Sequence, residues 1–149
     1  MEVKIETATL KFLDQLYQIE EKCFDQEAFS KRQIAYLLTD YNTIALVAKA
    51  ETNIVGFIIA QVEVEENDEF GHIVTINVAP DFRRRKVATR MICEIERILK
   101  EKSINECRLE VREDNHVAIK LYQTLGYQTV GKLEKYYGTT HGLYLKKIL

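Results

Sequence analysis

The sequence predicts an α+β protein in which one mixed, mostly antiparallel sheet of about seven strands is flanked by about four helices. Two observations carry this prediction. In the first half, apolar residues alternate over short runs, as they do in antiparallel strands. The second half alternates strand and helix patterns, and a strand–helix–strand unit requires parallel neighbours. The sheet must therefore change direction within the chain, and residues 72–78 lie where the two patterns meet.

The first half contains a strand, two helices and a hairpin. Alternation predicts the strands, and apolar side chains at helical spacing predict the first helix. Ser30 is suited to begin the second, because a serine hydroxyl accepts a hydrogen bond from the first helical turn. The predicted elements are a strand at 3–8, a helix at 9–22, a helix from Ser30 to about Leu38, and strands at 43–50 and 53–65 joined as a hairpin.

The second half continues as strand, helix, strand, helix and two closing strands. No segment rich in Pro, Gly or Ser separates it from the first half, so we expect residues 1–149 to form a single domain. The predicted elements are a strand from about Phe70 to Val78, a helix from about Arg85 to Lys100, a strand at 106–112 and a helix at 115–125.

Composition excludes several classes of protein. The net charge is −2, which is unfavourable for general nucleic-acid binding, and no run approaches the roughly 20 apolar residues that span a membrane. We expect a cytoplasmic protein. Cys23, Cys93 and Cys107 are odd in number and widely spaced, so we expect three reduced core thiols, no disulfide and no metal site.

The basic stretch at residues 77–92, NVAPDFRRRKVATRMI, lies where a predicted strand ends and a helix begins. Unpaired N–H groups and the helix dipole make such a junction an anion site. Three arginines and a lysine add positive charge, and a phosphate offers more acceptor oxygens than a carboxylate. A solvated basic loop is the alternative that the pattern alone leaves open.

Two motifs resemble those of the GNAT superfamily of N-acetyltransferases. VAPDFRRRKVAT resembles the loop that holds the pyrophosphate of acetyl-CoA, with Arg83 and Ala88 matching and Lys86 in place of the first glycine. About 30 residues later, LEVREDNHVAIKLYQTLGY resembles the second signature of the family. The matching residues there are Asn115, Ala118, Leu121, Tyr122, Gly126 and Tyr127. The chain is thereby identified as a member of this superfamily, with the acyl-CoA N-acyltransferase fold.

The resemblance implies acetyl-CoA as the cosubstrate and places its binding residues. The backbone of Ile76, Asn77 and Val78 would hold the acetyl group and the pantetheine arm. Asn115 and Tyr122 would lie near the thioester. The pyrophosphate would be held by Arg83, Arg84, Arg85, Lys86, Val87, Ala88 and Thr89. At Lys86 we expect an ordinary φ in the first helical turn and an ammonium close to the phosphates.

Three shorter stretches, GHIVTINV, LEVR and KYYG, resemble the branch that acetylates protein N-termini, including ribosomal-protein and archaeal acetyltransferases. The implied function is transfer of an acetyl group from acetyl-CoA to the α-amino group of a protein or peptide. The amine would attack the thioester directly, within a ternary complex. The same scaffold can also serve lysine or a small amine such as a polyamine.

Amine acetylation needs a general base and a general acid. Tyr122 matches the family's acid; its alternative role is packing on an apolar helical face. Glu110 matches the catalytic glutamate of the branch, although it alternates with Arg108 and Arg112 as a salt-bridged strand face would. His72 matches a histidine of archaeal relatives, and its ordinary pKa of about 6.5 suits proton transfer. We expect the sheet to bring Glu110 and His72 together.

The acceptor would bind between the segment 22–30 and the closing hairpin 135–142. By resemblance, Glu27 would hold the α-ammonium, Phe29 the first side chain and Tyr137 the peptide backbone, with Tyr136 nearby. Phe29 could equally belong to the core, and neighbouring tyrosines on a strand face opposite sides, so at most one enters the groove. We expect the acidic run EVEENDEF to be a solvated loop.

Two non-enzymatic functions complete the alternatives. An acyl-CoA sensor draws support from Lys86 in the glycine position, whereas the matches at Glu110, Asn115 and Tyr122 favour an enzyme. Nucleic-acid binding through residues 83–86 is the weakest alternative. We expect a monomer or weak homodimer, with an auxiliary subunit as a further partner and no membrane association.

Overall fold

The computed structural model describes residues 2–24 and 28–149. These residues form seven strands and four helices, as the sequence predicts. Two short 3-10 turns, Leu10–Phe12 and Pro80–Phe82, complete the regular structure of the described chain. The elements are β1 (Val3–Thr7), α1 (Leu13–Cys23), α2 (Lys31–Thr39), β2 (Thr43–Ala50), β3 (Asn53–Glu65), β4 (Asp68–Val78), α3 (Val87–Glu101), β5 (Glu106–Arg112), α4 (His116–Thr124), β6 (Gln128–Tyr137) and β7 (Thr140–Ile148).

The strands form one sheet in the order β1-β2-β3-β4-β5-β7-β6. Among the described strand pairs, β4 and β5 are parallel and the others are antiparallel. A crossover through α3 makes this parallel pair possible. The sheet thus changes direction between β4 and β5, which confirms the prediction.

Helices cover both faces of the sheet. On one face, α1 and α2 bury Leu16 and Ile34 against β2 and β3. On the opposite face, α3 buries Met91, Ile95 and Leu99 completely. Full burial of such a side chain contributes roughly 1.5–3 kcal/mol. These two apolar layers hold the sheet in place. They thereby fix the positions of the side chains at the ends of its strands.

Ser30 begins α2 as predicted. Its hydroxyl accepts a hydrogen bond from the backbone N–H of Gln33 at 3.1 Å, and the Gln33 side chain accepts from the N–H of Ser30 at 2.8 Å. This reciprocal pair is a capping box, which satisfies two N–H groups that the helix itself leaves unpaired.

The acidic run EVEENDEF is mostly exposed, as expected, but it forms the end of a hairpin and not a loop. β3 continues to Glu65 and β4 begins at Asp68. Glu66 and Asn67 form the two-residue turn, with φ of 50° and 72°. Positive φ at both central residues is the type I′ geometry, which two-residue hairpins favour and which asparagine tolerates.

Two further expectations need correction. α3 begins at Val87 and not near Arg85, because Lys86 before it has left-handed backbone geometry. The cysteines are not three core thiols: Cys107 is buried, Cys23 is half-buried and Cys93 is exposed. Cys93 lies on the outer side of α3, where helical periodicity turns it away from the sheet.

Candidate active site

The paired strands β4 and β5 separate at the centre of the sheet. Their parallel pairing joins Gly71–Ile73 to Cys107–Leu109, yet β4 runs on to Val78 and β5 to Arg112. Backbone groups of β4 that face β5 beyond Ile73 therefore lack a strand partner on that side. Such groups need hydrogen bonds, so the gap is suited to an extended ligand, and Ile76, Asn77 and Val78 line it.

A β-bulge lies at the point of separation. Thr75 is opposite Ile59 and Ile73 is opposite Ala60, which leaves Val74 as the extra residue in β4. Bulges re-aim side chains and are frequent beside active sites. This one puts both His72 and Thr75 on the face that carries α1 and α2.

His72 and Glu110 lie side by side, as expected. Nε2 of His72 is 2.7 Å from Oε1 of Glu110. Both side chains are about one-fifth exposed. Each comes from the strand face opposite the apolar residues Ile73 and Leu109, which belong to the α3 core. This hydrogen-bonded pair thus lies at the edge of the gap, with a packed apolar layer on the opposite face of its strands.

The other ring nitrogen of His72 contacts a second carboxylate. Nδ1 is 2.6 Å from Oε2 of Glu63, on the neighbouring strand β3. Burial lowers the pKa of His72, but the hydrogen bonds and charges of Glu110 and Glu63 outweigh burial and raise it above its ordinary value. The imidazole is therefore stabilised in its protonated form.

Tyr122 lies in α4 and is 5% exposed. Its ring meets that of Tyr127 edge-on, with centroids 5.9 Å apart. Burial, with the neighbouring Cys107 thiol, raises the pKa of the phenol well above its usual range. Tyr122 consequently keeps its proton at neutral pH, as a general acid must. Tyr122 also packs in the core, and its role as the general acid stays a prediction.

Asn115 caps α4. Its side-chain oxygen accepts a hydrogen bond from the backbone N–H of Ala118 at 3.2 Å. This contact satisfies one free N–H of the first turn and sets where α4 begins. Asn115 thereby positions the helix that carries Tyr122, while its contact with a thioester remains a prediction.

The basic loop at residues 83–86 connects β4 to α3. Arg83 turns back to β4, because its Nε donates a hydrogen bond to the carbonyl of Val78 at 3.0 Å. The guanidinium of Arg85 lies over the ring of Phe82, 5.0 Å from its centroid. Arg84 and Lys86 have φ values of 63° and 60°. Arg83 and Arg85 therefore both contact the residues that precede the loop, and the backbone is strained at Arg84 and Lys86.

The left-handed geometry corrects our expectation at Lys86. We expected an ordinary φ, whereas the structure gives the conformation that favours glycine. A side chain there costs about 1–2 kcal/mol. The glycine of the family motif is thus explained by backbone conformation, and this chain tolerates a lysine in the same conformation.

The N-terminus of α3 is open. Its first helical hydrogen bond runs from the N–H of Arg90 to the carbonyl of Lys86 at 3.0 Å. The earlier N–H groups, those of Val87, Ala88 and Thr89, have no acceptor within the helix. No acidic side chain occupies the first turn, and none of the described side chains caps it. With the adjacent cations, this end of α3 fits a pyrophosphate.

Of the predicted acceptor residues, Phe29, Tyr136 and Tyr137 are among those that the structure describes. Glu27 lies outside the described residues. Phe29 packs partly against the core of α1 and α2. Tyr136 is about half exposed, and burial together with the negative charge of Glu110 raises its pKa, so its phenol lies in the field of Glu110. Tyr137 meets Tyr136 edge-on at 4.9 Å and lies against Arg112.

Glu20, a buried carboxylate of α1, was not among the residues predicted from the sequence. It is 1% exposed. Its Oε2 accepts from the N–H of Phe29 at 3.0 Å, and its Oε1 accepts from Thr75 Oγ1 at 2.8 Å and Asn77 Nδ2 at 2.9 Å. Glu20 thus ties the backbone at Phe29 to β4. A signal existed: Glu20 follows Leu16 by four residues, on the apolar face of α1.

Asn77 takes a fixed orientation from Glu20. A carboxylate only accepts hydrogen bonds, so the amide nitrogen of Asn77 must face it. The amide oxygen, Oδ1, is buried and has no hydrogen-bond partner in the described residues. The side chain of Asn77 is therefore committed to the α1 face, and only its backbone is left to face the gap.

Glu63 was also missed, and no local pattern could have found it. It belongs to the alternating run QVEVE, which reads as an ordinary strand face. Its contact with His72 depends on the register of β3 and β4, where Gln61 is opposite His72 and Glu63 is opposite Phe70. Register is a tertiary property, set by the turn and the packing.

The Glu63–His72–Glu110 chain does not form a metal site. The two carboxylates contact opposite nitrogens of the imidazole and so do not converge on one point. Within residues 2–24 and 28–149, no group of three or more His, Cys, Asp or Glu side chains could hold a metal ion. In the same part of the chain, no helix is long and apolar enough to span a membrane.

Comparisons with known proteins complete the description of the site. The model of the Acetyltransferase (GNAT) family matches residues 13–127. The N-alpha-acetyltransferase of Sulfurisphaera tokodaii is 29% identical over 153 residues, covering 97% of this chain and 91% of that protein. The catalytic subunit of the N-terminal acetyltransferase B complex of Saccharomyces cerevisiae is 33% identical over 101 residues, 64% of this chain and 52% of that protein. The crystal structure of Ard1 from Thermoplasma volcanium shares the fold, with a TM-score of 0.90 at 22% identity over 100% of this chain and 99% of that one.

Proposed function

The chain belongs to the GNAT family of acetyltransferases and is an acetyl-CoA-dependent enzyme, and we propose that it acetylates the N-terminal α-amino group of a protein or peptide. One observation carries the chemistry: Glu110 and His72 are hydrogen-bonded at 2.7 Å where β4 and β5 separate. The acceptor class is supported by the N-alpha-acetyltransferase of S. tokodaii, which matches nearly the whole chain.

The cosubstrate fits two features of this chain. The open N-terminus of α3, flanked by Arg84 and Lys86, would hold the pyrophosphate. The unpaired edge of β4 at residues 76–78 would hold the pantetheine arm and the acetyl group by backbone hydrogen bonds. When bound, acetyl-CoA supplies a thioester, whose acyl group an amine can accept.

Glu110 would act as the general base. Its carboxylate takes a proton from the acceptor amine, directly or through one water, because only a neutral amine has a free electron pair. Hydrogen bonding to His72 fixes the direction of the carboxylate. Tyr122 supplies a proton to the departing sulfur, and its raised pKa keeps that proton in place until then.

An α-amine is the easier substrate for this site. Its ordinary pKa is about 8, whereas that of lysine is about 10.4, so an α-amine is neutral at pH 7 about two hundred times more often. A carboxylate base gains from an acceptor that is already partly neutral, because less proton removal is then needed. This difference favours protein N-termini over lysine side chains.

The acceptor peptide would lie across the α1–α2 side of the sheet. Phe29 would contact the first side chain, and Tyr136 and Tyr137 would contact the peptide, with Tyr136 close to the base. Glu27 remains our predicted contact for the α-ammonium. We also propose that the enzyme works in the cytoplasm as a monomer or weak homodimer. The relation to a complex subunit in S. cerevisiae supports an auxiliary partner.

Mass spectrometry of acetylated products tests this proposal. The protein is incubated with acetyl-CoA and three acceptor sets: peptides with varied first residues, N-terminally blocked peptides that contain lysine, and spermidine. Glu110→Gln serves as the matched inactive control. We expect acetylation of the free N-termini only. A higher kcat/KM for blocked lysine peptides or spermidine would contradict the proposed acceptor. Acetyl-CoA binding without transfer to any acceptor would indicate a sensor.

A further inference from the structure

We propose that Glu63 is a positioning residue of the reaction: it holds His72 against Glu110 and passes the proton taken from the amine on to solvent. This inference deepens the proposed function and rests on it, since it assigns the path of a proton that Glu110 removes. It is carried by a continuous chain of two short hydrogen bonds through one imidazole ring.

The geometry of the chain is linear. Oε2 of Glu63 is 2.6 Å from Nδ1 of His72, and Nε2 of the same ring is 2.7 Å from Oε1 of Glu110. Two carboxylates that contact both ring nitrogens fix the ring plane, and a protonated imidazole donates to both. The ring of His72 therefore keeps a single orientation as long as Glu63 is present.

Exposure increases along the chain. The side chains of Glu110 and His72 are 18% and 20% exposed, while that of Glu63 is 40% exposed. Glu110 faces the gap between the strands, so a proton that it receives has no direct route to bulk water once an acceptor covers it. Glu63, at the other end, remains open to solvent and can release a proton there.

The proton count balances without any further reactant. The amine N–H bond breaks and a Glu110 O–H bond forms. For this transfer the ring of His72 is neutral and carries its proton on Nδ1, so that Nε2 has a free electron pair. Nε2 takes the Glu110 proton while Nδ1 gives its own proton to the Glu63 carboxylate. The net change is one proton moved from Glu110 to Glu63, which passes it to water. His72 and Glu110 return to their starting charge, and the ring proton moves back from Nε2 to Nδ1 by exchange with water once the product has left the gap.

The other charged groups around His72 have partners of their own. Arg108 lies opposite His72 on β5. It is bound to Glu65, Glu106 and the Tyr144 hydroxyl and lies over the Phe70 ring.

Tyr136 of β6 contributes a neutral phenol near Glu110. Gln61, opposite His72, bonds to Asp40 and Thr43. Glu63 and Glu110 are thus the carboxylates hydrogen-bonded to the imidazole among the described residues.

Glu63→Gln tests the proposal, with Glu65→Gln as its matched control. Both substitutions remove one negative charge from the same face of β3, but Glu65 contacts Arg108 and not His72. We expect Glu63→Gln to lower kcat about tenfold, less than the ~10²-fold loss expected for a direct proton-transfer group. The KM of the acceptor and the Kd of acetyl-CoA should stay unchanged, and Glu65→Gln should resemble wild type.

Titration of His72 by NMR, with no acceptor present, gives an independent readout. In Glu63→Gln the His72 pKa should fall, because one of the two carboxylates that raise it is gone. In Glu65→Gln it should fall much less. In Glu63→Gln, the acidic limb of the plot of kcat against pH should shift to lower pH together with the His72 pKa. In Glu65→Gln this limb should stay where it is in wild type.

Two outcomes would overturn the role of Glu63: a wild-type kcat and pH profile in Glu63→Gln, or the same loss in both variants. The rates are measured on whichever amine the wild type acetylates fastest. A preference for lysine or spermidine would therefore refute the proposed acceptor, while a kcat loss confined to Glu63→Gln would still support the relay.

Discussion

Glu110 of β5 and His72 of β4 share a hydrogen bond of 2.7 Å across the parallel strand pair, one residue beyond Leu109, where the pairing ends. This relationship puts a carboxylate at the mouth of the gap with its direction set by an imidazole. It also couples the charge of His72 to that of Glu110, so we expect both activity and stability to depend on the pair.

Glu110→Gln should lower kcat by roughly 10²-fold or more, since an amide cannot take a proton from the amine. The Kd of acetyl-CoA should change by only a few-fold, because Glu110 lies apart from the phosphate loop. Steady-state kinetics and calorimetric titration measure the two quantities. If His72→Ala proves more damaging than Glu110→Gln, the base is His72.

Tyr122→Phe should also lower kcat by roughly 10²-fold, because the departing sulfur loses its proton donor. The ring stays in place, so packing against Tyr127 is preserved and stability should change little. Tyr127→Phe is the matched control for stability: its hydroxyl donates to buried Glu96 at 2.8 Å, and its loss should destabilise the fold by about 1–3 kcal/mol. A wild-type kcat in Tyr122→Phe would remove the phenol from the mechanism.

Stability should depend on pH through His72. Its pKa is raised in the folded protein, so the contribution of the protonated ring is fully present below the unfolded pKa of about 6.5. It is lost as pH rises through the folded pKa. Urea unfolding from pH 6 upward should show this loss in wild type and a flatter profile in His72→Gln. Equal slopes in both proteins would contradict the raised pKa.

Lys86→Gly should raise the free energy of unfolding by up to about 1 kcal/mol. It relieves a left-handed strain of about 1–2 kcal/mol, offset by about 0.5–1 kcal/mol for the greater freedom of glycine in the unfolded chain. Lys86→Ala keeps the strain and should bring no such gain. Both variants should bind acetyl-CoA at most about tenfold more weakly, and the difference should shrink as salt screens the charge. A loss of stability in Lys86→Gly would contradict the strained backbone.

Glu20→Gln should destabilise the fold by about 1–3 kcal/mol. The new amide nitrogen would face one of the donors that the carboxylate now satisfies, leaving both unpaired in the interior. The acceptor KM should rise as well, since the N–H of Phe29 is held by Glu20. Glu21→Gln, on the exposed side of α1, should stay within about 0.5 kcal/mol. Denaturant unfolding gives the comparison, and equal effects of the two changes would contradict a special role for Glu20.

The helices, the strands and the family could be predicted from the sequence, because each is indicated by a short run of neighbouring residues. Alternation identified β3 and β5 with the bounds that the structure gives, and the Ser30 cap placed the start of α2. The two motifs at residues 78–89 and 109–127 identified the family, since each is a short run whose backbone groups and side chains act together. The prediction that Glu110 and His72 would meet followed from strand order and was confirmed.

Other features were decided by the tertiary structure alone, because they depend on contacts between residues far apart in the chain. The register of β3 against β4 brings Glu63 to His72, and packing of α1 on β4 buries the Glu20 carboxylate against Thr75 and Asn77. The left-handed φ of Lys86 likewise depends on how the loop must turn between β4 and α3, because a lysine has no local preference for it. Local propensity sets which elements form. Strand register, burial and loop closure depend instead on energies summed over the whole fold, and no short stretch of sequence contains that sum.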